Sequence, residues 1–180
     1  MTKIQIVLTV YLQFLSFFQF IKAFTYTNFY INKYEDCDPQ NRSKLSYRLY
    51  VKDNFQYIDY DVTLPVELDH RVGVRFIIES TVNERQYTQL LSTYEKNYCL
   101  TMQKYGGEFW YDFQRSMQLI PGSCPIPKRR YRVINNKMNF SKIALQTFPF
   151  GKMRITLKVM ENANQNVVFC VRLLIENKSN

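Results

Sequence analysis

The sequence predicts an all-β protein: a two-sheet antiparallel β-sandwich, immunoglobulin-like, with one short helix. Three observations support this class. Short runs with an apolar residue at every second position recur along the chain, and turn-forming residues separate them at short intervals. A single segment replaces this period with a four-residue spacing. A closed barrel is the alternative architecture that the same pattern allows.

The clearest strands lie in VGVRFIIESTV (72–82), KMRITLKVM (152–160) and VVFCVRLLI (167–175). A period of two places one face of each strand in the core and leaves the other face wetter. The predicted inward sets are Val72, Val74, Phe76, Ile78 and Val82; Met153, Ile155, Leu157 and Val159; and Val167, Phe169, Val171, Leu173 and Ile175. The ENANQN stretch between the last two strands predicts a hairpin connection.

Two further strands are predicted in LSYRLYVK and FQYIDYDVTL, joined by a turn at Asp53-Asn54. The exception to the β pattern is GGEFWYDFQRSM, where Phe109, Phe113 and Met117 recur every four residues. This spacing predicts a short helix that Pro121 and Gly122 follow.

The first 23 residues predict a secretory signal peptide. The run Ile4–Ile21 carries no charge, Lys3 precedes it, and Ala23 is a small residue suited to cleavage. A membrane anchor is the alternative, although several polar residues interrupt the run. Cleavage leaves 24–180 as a single secreted domain. Secretion and a net charge of +9 favour anionic extracellular partners, including membrane surfaces, and disfavour nucleic acid.

The sequence predicts no enzyme, no cofactor and no metal site. His70 is the only histidine and lies in a charged connection, where a solvated loop side chain is expected. Glu67 and Asp69 alone are weak evidence for acid–base chemistry. The four cysteines in a secreted chain indicate two disulfides and allow three pairings.

Phenylalanine and tyrosine are unusually frequent, with 14 of each. They fit either a tightly packed aromatic core or a sandwich whose sheets enclose an apolar cavity. In TFPFG (147–151), Phe148 and Phe150 flank a proline in an expected loop, where they either pack inward or form a lip that contacts lipid.

A basic run follows Cys124 in PGSCPIPKRRYRV: Lys128, Arg129, Arg130 and Arg132. It predicts an exposed strand edge, since basic side chains discourage edge pairing. A sharper hypothesis places these residues at the rim of a cavity, in contact with anionic headgroups. Asn41, Asn139 and Asn177 each begin a glycosylation sequon and predict exposed turns.

The motifs CPIPKRRYRV, TFPFGKMRITLKV and VVFCVRLLIE, with the early cysteine in KYEDCDP, resemble the ML lipid-recognition family. The arrangement of these motifs is similar to that in the family's secreted insect proteins of the chemosensory-B type. The resemblance covers about 120–176 and is carried by Cys124-Pro125, Tyr131, Gly151 and Cys170. It implies a two-sheet β-sandwich with an inter-sheet cavity, and it implies the disulfides Cys37–Cys170 and Cys99–Cys124.

We therefore expect a secreted, monomeric glycoprotein that binds lipid or another hydrophobic small molecule, as a carrier or chemosensory accessory. The expected ligand-contacting residues lie on facing strands, the helix and the TFPFG loop. They are Phe76, Ile78, Trp110, Phe113, Met117, Phe148, Phe150, Ile155 and Leu157. The alternative is an interaction module with a dry core that docks on a receptor or channel.

Overall fold

The computed structural model describes residues 29–145 and 148–178. The predicted signal peptide, residues 1–23, lies outside these ranges. Within them, no helix is long and apolar enough to cross a membrane. The strands are β1 (Phe29–Asp36), β2 (Ser46–Lys52), β3 (Phe55–Thr63), β4 (Val72–Thr81), β5 (Thr88–Glu95), β6 (Arg130–Lys137), β7 (Gly151–Glu161) and β8 (Val167–Asn177).

The strands form two antiparallel sheets that pack face to face, so the predicted β-sandwich is confirmed. One sheet has five strands in the order β1-β8-β7-β4-β5, and the other has three in the order β2-β3-β6. The two sheets share no strand. The alternation read from the sequence sets the inner face, because Phe76 pairs with Leu157, which pairs with Val171.

Tight turns connect consecutive strands where the sequence carries turn residues. Asp53 and Asn54 join β2 to β3 with φ angles of 50° and 62°, a left-handed pair that suits a two-residue hairpin. ENANQN joins β7 to β8, as predicted. One inward position is wrong: Val82 is 97% exposed, because β4 ends one residue earlier, at Thr81.

The helical segment is longer than predicted. It consists of α1 (Tyr98–Thr101), one π turn (Met102–Gly106) and α2 (Gly107–Ser116). The predicted helix, 106–117, corresponds to α2, and the sequence missed the eight helical residues before it, 98–105. Asn97 caps α1 by accepting a hydrogen bond from the Leu100 amide.

Both disulfides are present in the pairing that the resemblance implies. Cys37–Cys170 joins the end of β1 to β8, and Cys99–Cys124 joins α1 to the loop before β6. Sequence alone left three pairings open. The second bridge links the start of the helical segment to the loop that follows it.

One edge of the sandwich is closed by a side chain. Gln56 on β3 is buried, and its amide accepts a hydrogen bond from the Ile31 amide and donates one to the Ile31 carbonyl, both at 2.8 Å. Ile31 lies on β1, an edge strand of the five-stranded sheet, next to a shift in the β1–β8 register. Gln56 thereby links the two sheets.

We expect Gln56→Ala to lower the free energy of unfolding by about 2 kcal/mol, since two buried backbone groups lose their partners. Chemical denaturation monitored by circular dichroism measures this. Gln89→Ala, at an exposed position of β5, is the matched control and should change stability little. Equal stability of the two variants would contradict the role given to Gln56.

Candidate functional site

A cavity of about 430 Å³ lies between the two sheets and beneath the helical segment. Inward side chains of both sheets and of α1 and α2 form its walls. Eight of the nine residues expected to contact a ligand line it: Phe76, Ile78, Trp110, Phe113, Met117, Phe148, Ile155 and Leu157. The sequence left open whether the many aromatic residues pack a tight core or enclose a cavity, and the structure contains the cavity. Contact of these residues with a ligand remains a prediction.

Phe150 is the exception, and the expectation that it lies on the cavity wall is wrong. Its side chain is 49% exposed and does not line the cavity. Phe148 turns inward and packs edge-to-face on Phe29, with ring centroids 4.7 Å apart. Gly151 then turns the chain into β7 with a φ of 104°, so the two phenylalanines do not form a common lip.

The helical segment forms the cavity's third wall. Trp110 is buried against Tyr98, and Phe113 stacks on Tyr60 of β3 with centroids 5.4 Å apart. Gln114 is fully buried and holds the following loop, accepting from the Gly122 amide and donating to the Ser123 carbonyl. These contacts, together with the Cys99–Cys124 disulfide, fix the position of α2 over the sheets.

The cavity wall carries no formal charge. Among the lining residues of the described ranges there is no lysine, arginine, histidine, aspartate or glutamate. The polar side-chain groups are the hydroxyls of threonine and tyrosine and the indole N–H of Trp110. A charged group inside would therefore lose its hydration without gaining an ionic partner, so the wall selects for uncharged, mainly apolar matter.

The cavity opens beside the edge strand β5. Leu91 lines the cavity yet is 45% exposed. It pairs with Ile78 across β4 and β5, and Thr93 pairs with Phe76, so both side chains lie on the inner face of the sheet. Because the Leu91 side chain faces the cavity and is also exposed to solvent, the cavity opens to solvent at this position. The opposite edge, at β1, carries the Gln56–Ile31 link.

The basic run lies away from the cavity wall, and none of its four residues lines the cavity. Tyr131 and Val133 of β6 are buried, so alternation turns Arg130 and Arg132 to the outer face. Arg130 and Arg132 therefore do not form the expected headgroup rim of the cavity. Lys128 and Arg129 are exposed residues that precede the strand.

Arg130 and Arg132 confirm the strand-edge interpretation, because they lie on β6, an outer strand of its sheet. Arg130 donates two hydrogen bonds to Asp61, at 2.7 and 2.6 Å. These bonds lower the pKa of the Asp61 carboxyl. Arg129 lies over the ring of Tyr131 and donates to the Met117 carbonyl.

The outer face of the five-stranded sheet carries a similar pair. Arg154 donates to both carboxyl oxygens of Glu79, at 2.6 and 2.8 Å, and this bonding lowers the pKa of Glu79. A lowered folded-state pKa contributes stability at pH values above the ordinary glutamate value of about 4.3, and this contribution is lost as the pH falls through the folded-state value.

We therefore expect Glu79→Gln to lower stability at neutral pH and to make stability less dependent on pH below about 5. Denaturation midpoints of both proteins between neutral and acid pH measure this. Glu84→Gln, whose carboxylate pairs with Lys152 at an exposed site, is the control. Parallel pH profiles for Glu79→Gln and wild type would contradict the assignment.

The three sequons differ in environment. Asn41 is exposed, and Asn139 precedes a short 3₁₀ helix (Phe140–Lys142) and is partly buried. Asn177 is 3% exposed, and its amide donates to the Phe148 and Pro149 carbonyls. The expectation of an exposed turn at Asn177 is wrong, because the residue ends β8 and holds the TFPFG loop in place.

Several cavity residues escaped the sequence analysis, including Tyr34, Tyr60 and Tyr98. A signal existed for Tyr60: Ile58, Tyr60 and Val62 alternate along β3 and all line the cavity. Tyr98 begins α1, a helix that the sequence did not predict. His70 is exposed in a turn, and within residues 29–145 and 148–178 no cluster of side chains suited to a metal ion is present.

No family model matches the chain, and no curated protein matches it. Among solved structures, the crystal structure of chicken MD-1 complexed with lipid IVa is similar at 14% identity. The match covers 87% of this chain and 96% of that chain, with a TM-score of 0.44. A likeness of this size carries no argument about function, and the fold is defined by its own strands and register.

Proposed function

We propose that this protein binds a hydrophobic small molecule, such as a lipid, in the cavity between its sheets. The observation that carries the proposal is a 430 Å³ space with an uncharged, mainly apolar wall and a mouth at β5. Binding sites for small ligands have volumes of about 300–1,000 Å³ and few polar groups. Each methylene buried contributes about 0.8 kcal/mol before ordering costs are subtracted.

The more specific parts of the proposal rest on the sequence. We propose a secreted protein of the ML type, a monomeric glycoprotein formed by residues 24–180 after removal of 1–23, that acts as a carrier or chemosensory accessory and not as an enzyme. Two disulfides support an oxidising compartment. Glycosylation is proposed at Asn41, whose side chain is exposed, rather than at Asn177, which is buried.

The alternative, an interaction module that docks on a receptor or channel, would gain nothing from a void in its core. Voids in protein interiors are few and small, because lost contacts on their walls cost stability. A cavity of this size supports ligand binding over a dry docking module. A membrane surface or a receptor stays a proposed site of delivery.

Mass spectrometry under native conditions tests the proposal. The full chain is expressed in a secreting eukaryotic cell, purified without detergent and measured intact, and organic extracts of the same sample are analysed for lipids. We expect a species heavier than the protein and its glycans, which loses that extra mass on extraction. Protein that carries no ligand and also takes up no fatty acid or phospholipid on incubation would contradict the proposal.

A further inference from the structure

Three of the tyrosines that line the mainly apolar cavity come from three different walls. Tyr34 comes from β1, Tyr60 from β3 and Tyr98 from α1, so both sheets and the helical segment each contribute one. Tyr60 and Tyr98 are only 6% and 3% exposed. We call these three residues the tyrosine trio.

The hydroxyls of the tyrosine trio lack hydrogen-bond partners in the described part of the chain. The Tyr60 hydroxyl is enclosed and unpaired. Ser116 lies near it and its hydroxyl donates to the Phe113 carbonyl, but the geometry forms no hydrogen bond between the Ser116 and Tyr60 hydroxyls. The hydrogen bonds of the described residues also include none from the hydroxyls of Tyr34 or Tyr98.

Two other cavity tyrosines behave differently. The Tyr131 hydroxyl donates to the Pro127 carbonyl at 2.7 Å, and the Tyr105 hydroxyl donates to the Glu95 carboxylate at 3.2 Å. Both residues line the same cavity. The described residues therefore supply hydrogen-bond partners to the hydroxyls of Tyr105 and Tyr131 and supply none to those of the trio.

A buried hydroxyl without a partner is unfavourable, and phenylalanine would fill the same space without that cost. The trio therefore points to a partner that the described residues do not supply. Burial raises the pKa of all three hydroxyls, and the neighbouring Tyr60 raises the pKa of Tyr34 and Tyr98 further. At neutral pH each group is a neutral donor.

We propose that the ligand carries an uncharged oxygen acceptor within its apolar body, an ester, carbonyl, ether or hydroxyl oxygen, that accepts a hydrogen bond from the tyrosine trio. This inference rests on the proposed function and narrows its ligand class. An ionised carboxylate or phosphate is excluded from the interior, because no cationic side chain among the described residues lines the wall. Such a group belongs at the mouth beside Leu91.

The test compares two probes of equal chain length, hexadecane and methyl palmitate, by displacement of a fluorescent fatty-acid analogue from the full secreted chain. The variants are Tyr34→Phe, Tyr60→Phe and Tyr98→Phe, singly and together. We expect methyl palmitate to bind more tightly than hexadecane to the wild type. The triple variant should lose about fivefold or more in affinity for methyl palmitate and keep its affinity for hexadecane.

Tyr131→Phe is the matched control, since it removes a cavity tyrosine hydroxyl that already has a partner. It should lower stability and leave the preference for the ester unchanged, whereas the trio variants should unfold at the same or a higher temperature than the wild type. Equal binding of both probes to wild type and triple variant would overturn this inference and leave the proposed function standing. Failure of every probe to bind would overturn both.

Discussion

Replacing Cys37 and Cys170 together by alanine is expected to lower the free energy of unfolding by about 5 kcal/mol. The two residues are 133 positions apart in sequence, so the bridge restricts nearly the whole described chain when it unfolds. Native domains of this kind are stable by about 5–15 kcal/mol in total. The variant should therefore be close to its unfolding threshold at physiological temperature.

The second disulfide provides the internal comparison. Cys99 and Cys124 are 25 positions apart, and the same loop-entropy relation gives about 3.5 kcal/mol for their removal. Urea denaturation of both double-alanine variants, with the remaining bridge intact, measures the difference. A larger loss on removing Cys99–Cys124 than on removing Cys37–Cys170 would contradict the account of what each bridge restricts.

Filling the cavity is expected to lower ligand affinity at least tenfold, which corresponds to about 1.4 kcal/mol. Leu157 and Val171 are register partners on β7 and β8, and both line the cavity. In the double variant Leu157→Phe/Val171→Phe, the added ring atoms would occupy space that the ligand needs. Extra bulk strains a close-packed core, but here it enters an existing void, so stability should hold or rise.

Displacement of a fluorescent fatty-acid analogue, measured beside thermal unfolding, separates the two effects. Ile134→Phe is the control, because Ile134 lies on β6 and is 59% exposed. It adds a ring outside the sandwich and should leave affinity unchanged. Undiminished binding by the filled variant would show that the ligand lies elsewhere on the protein.

The sequence predicted the strands that carry strict alternation and missed those that do not. β4, β7 and β8 are the three central strands of the larger sheet. One face of each strand packs in the core, so apolar residues recur clearly at every second position. β1 and β5 are edge strands of the same sheet. β5 exposes its first five residues, so burial imposes no period on them.

The helical segment illustrates a second limit. Apolar spacing located α2, but α1 and the π turn before it were missed. The helical segment passes through Gly106 and Gly107, with Gly107 at a φ of 54°. A Cβ at Gly107 would approach that of Ala144 to 2.9 Å, so the glycine reflects close packing that only the tertiary structure shows.

The cavity wall could be predicted in part. Residues on predicted strands and on α2 were found because their inward face follows from periodicity. The tyrosine trio was not found: alternation along β3 marks Tyr60 alone, and the three residues meet only when β1, β3 and α1 pack around one space. The outward position of Arg130 and Arg132 could have been read from Tyr131 and Val133 between and beyond them, once that stretch is taken as a strand.

Quenching of tryptophan fluorescence tests the central claim most directly. Trp110 is the only tryptophan in the chain and lines the cavity, so the whole signal comes from its wall. Titration with a methyl ester brominated at mid-chain should quench this fluorescence and saturate at one ligand per chain, and the unbrominated ester should reverse the quenching. Fluorescence that stays constant while the ester binds, or in the absence of any binding, would contradict a ligand site between the sheets.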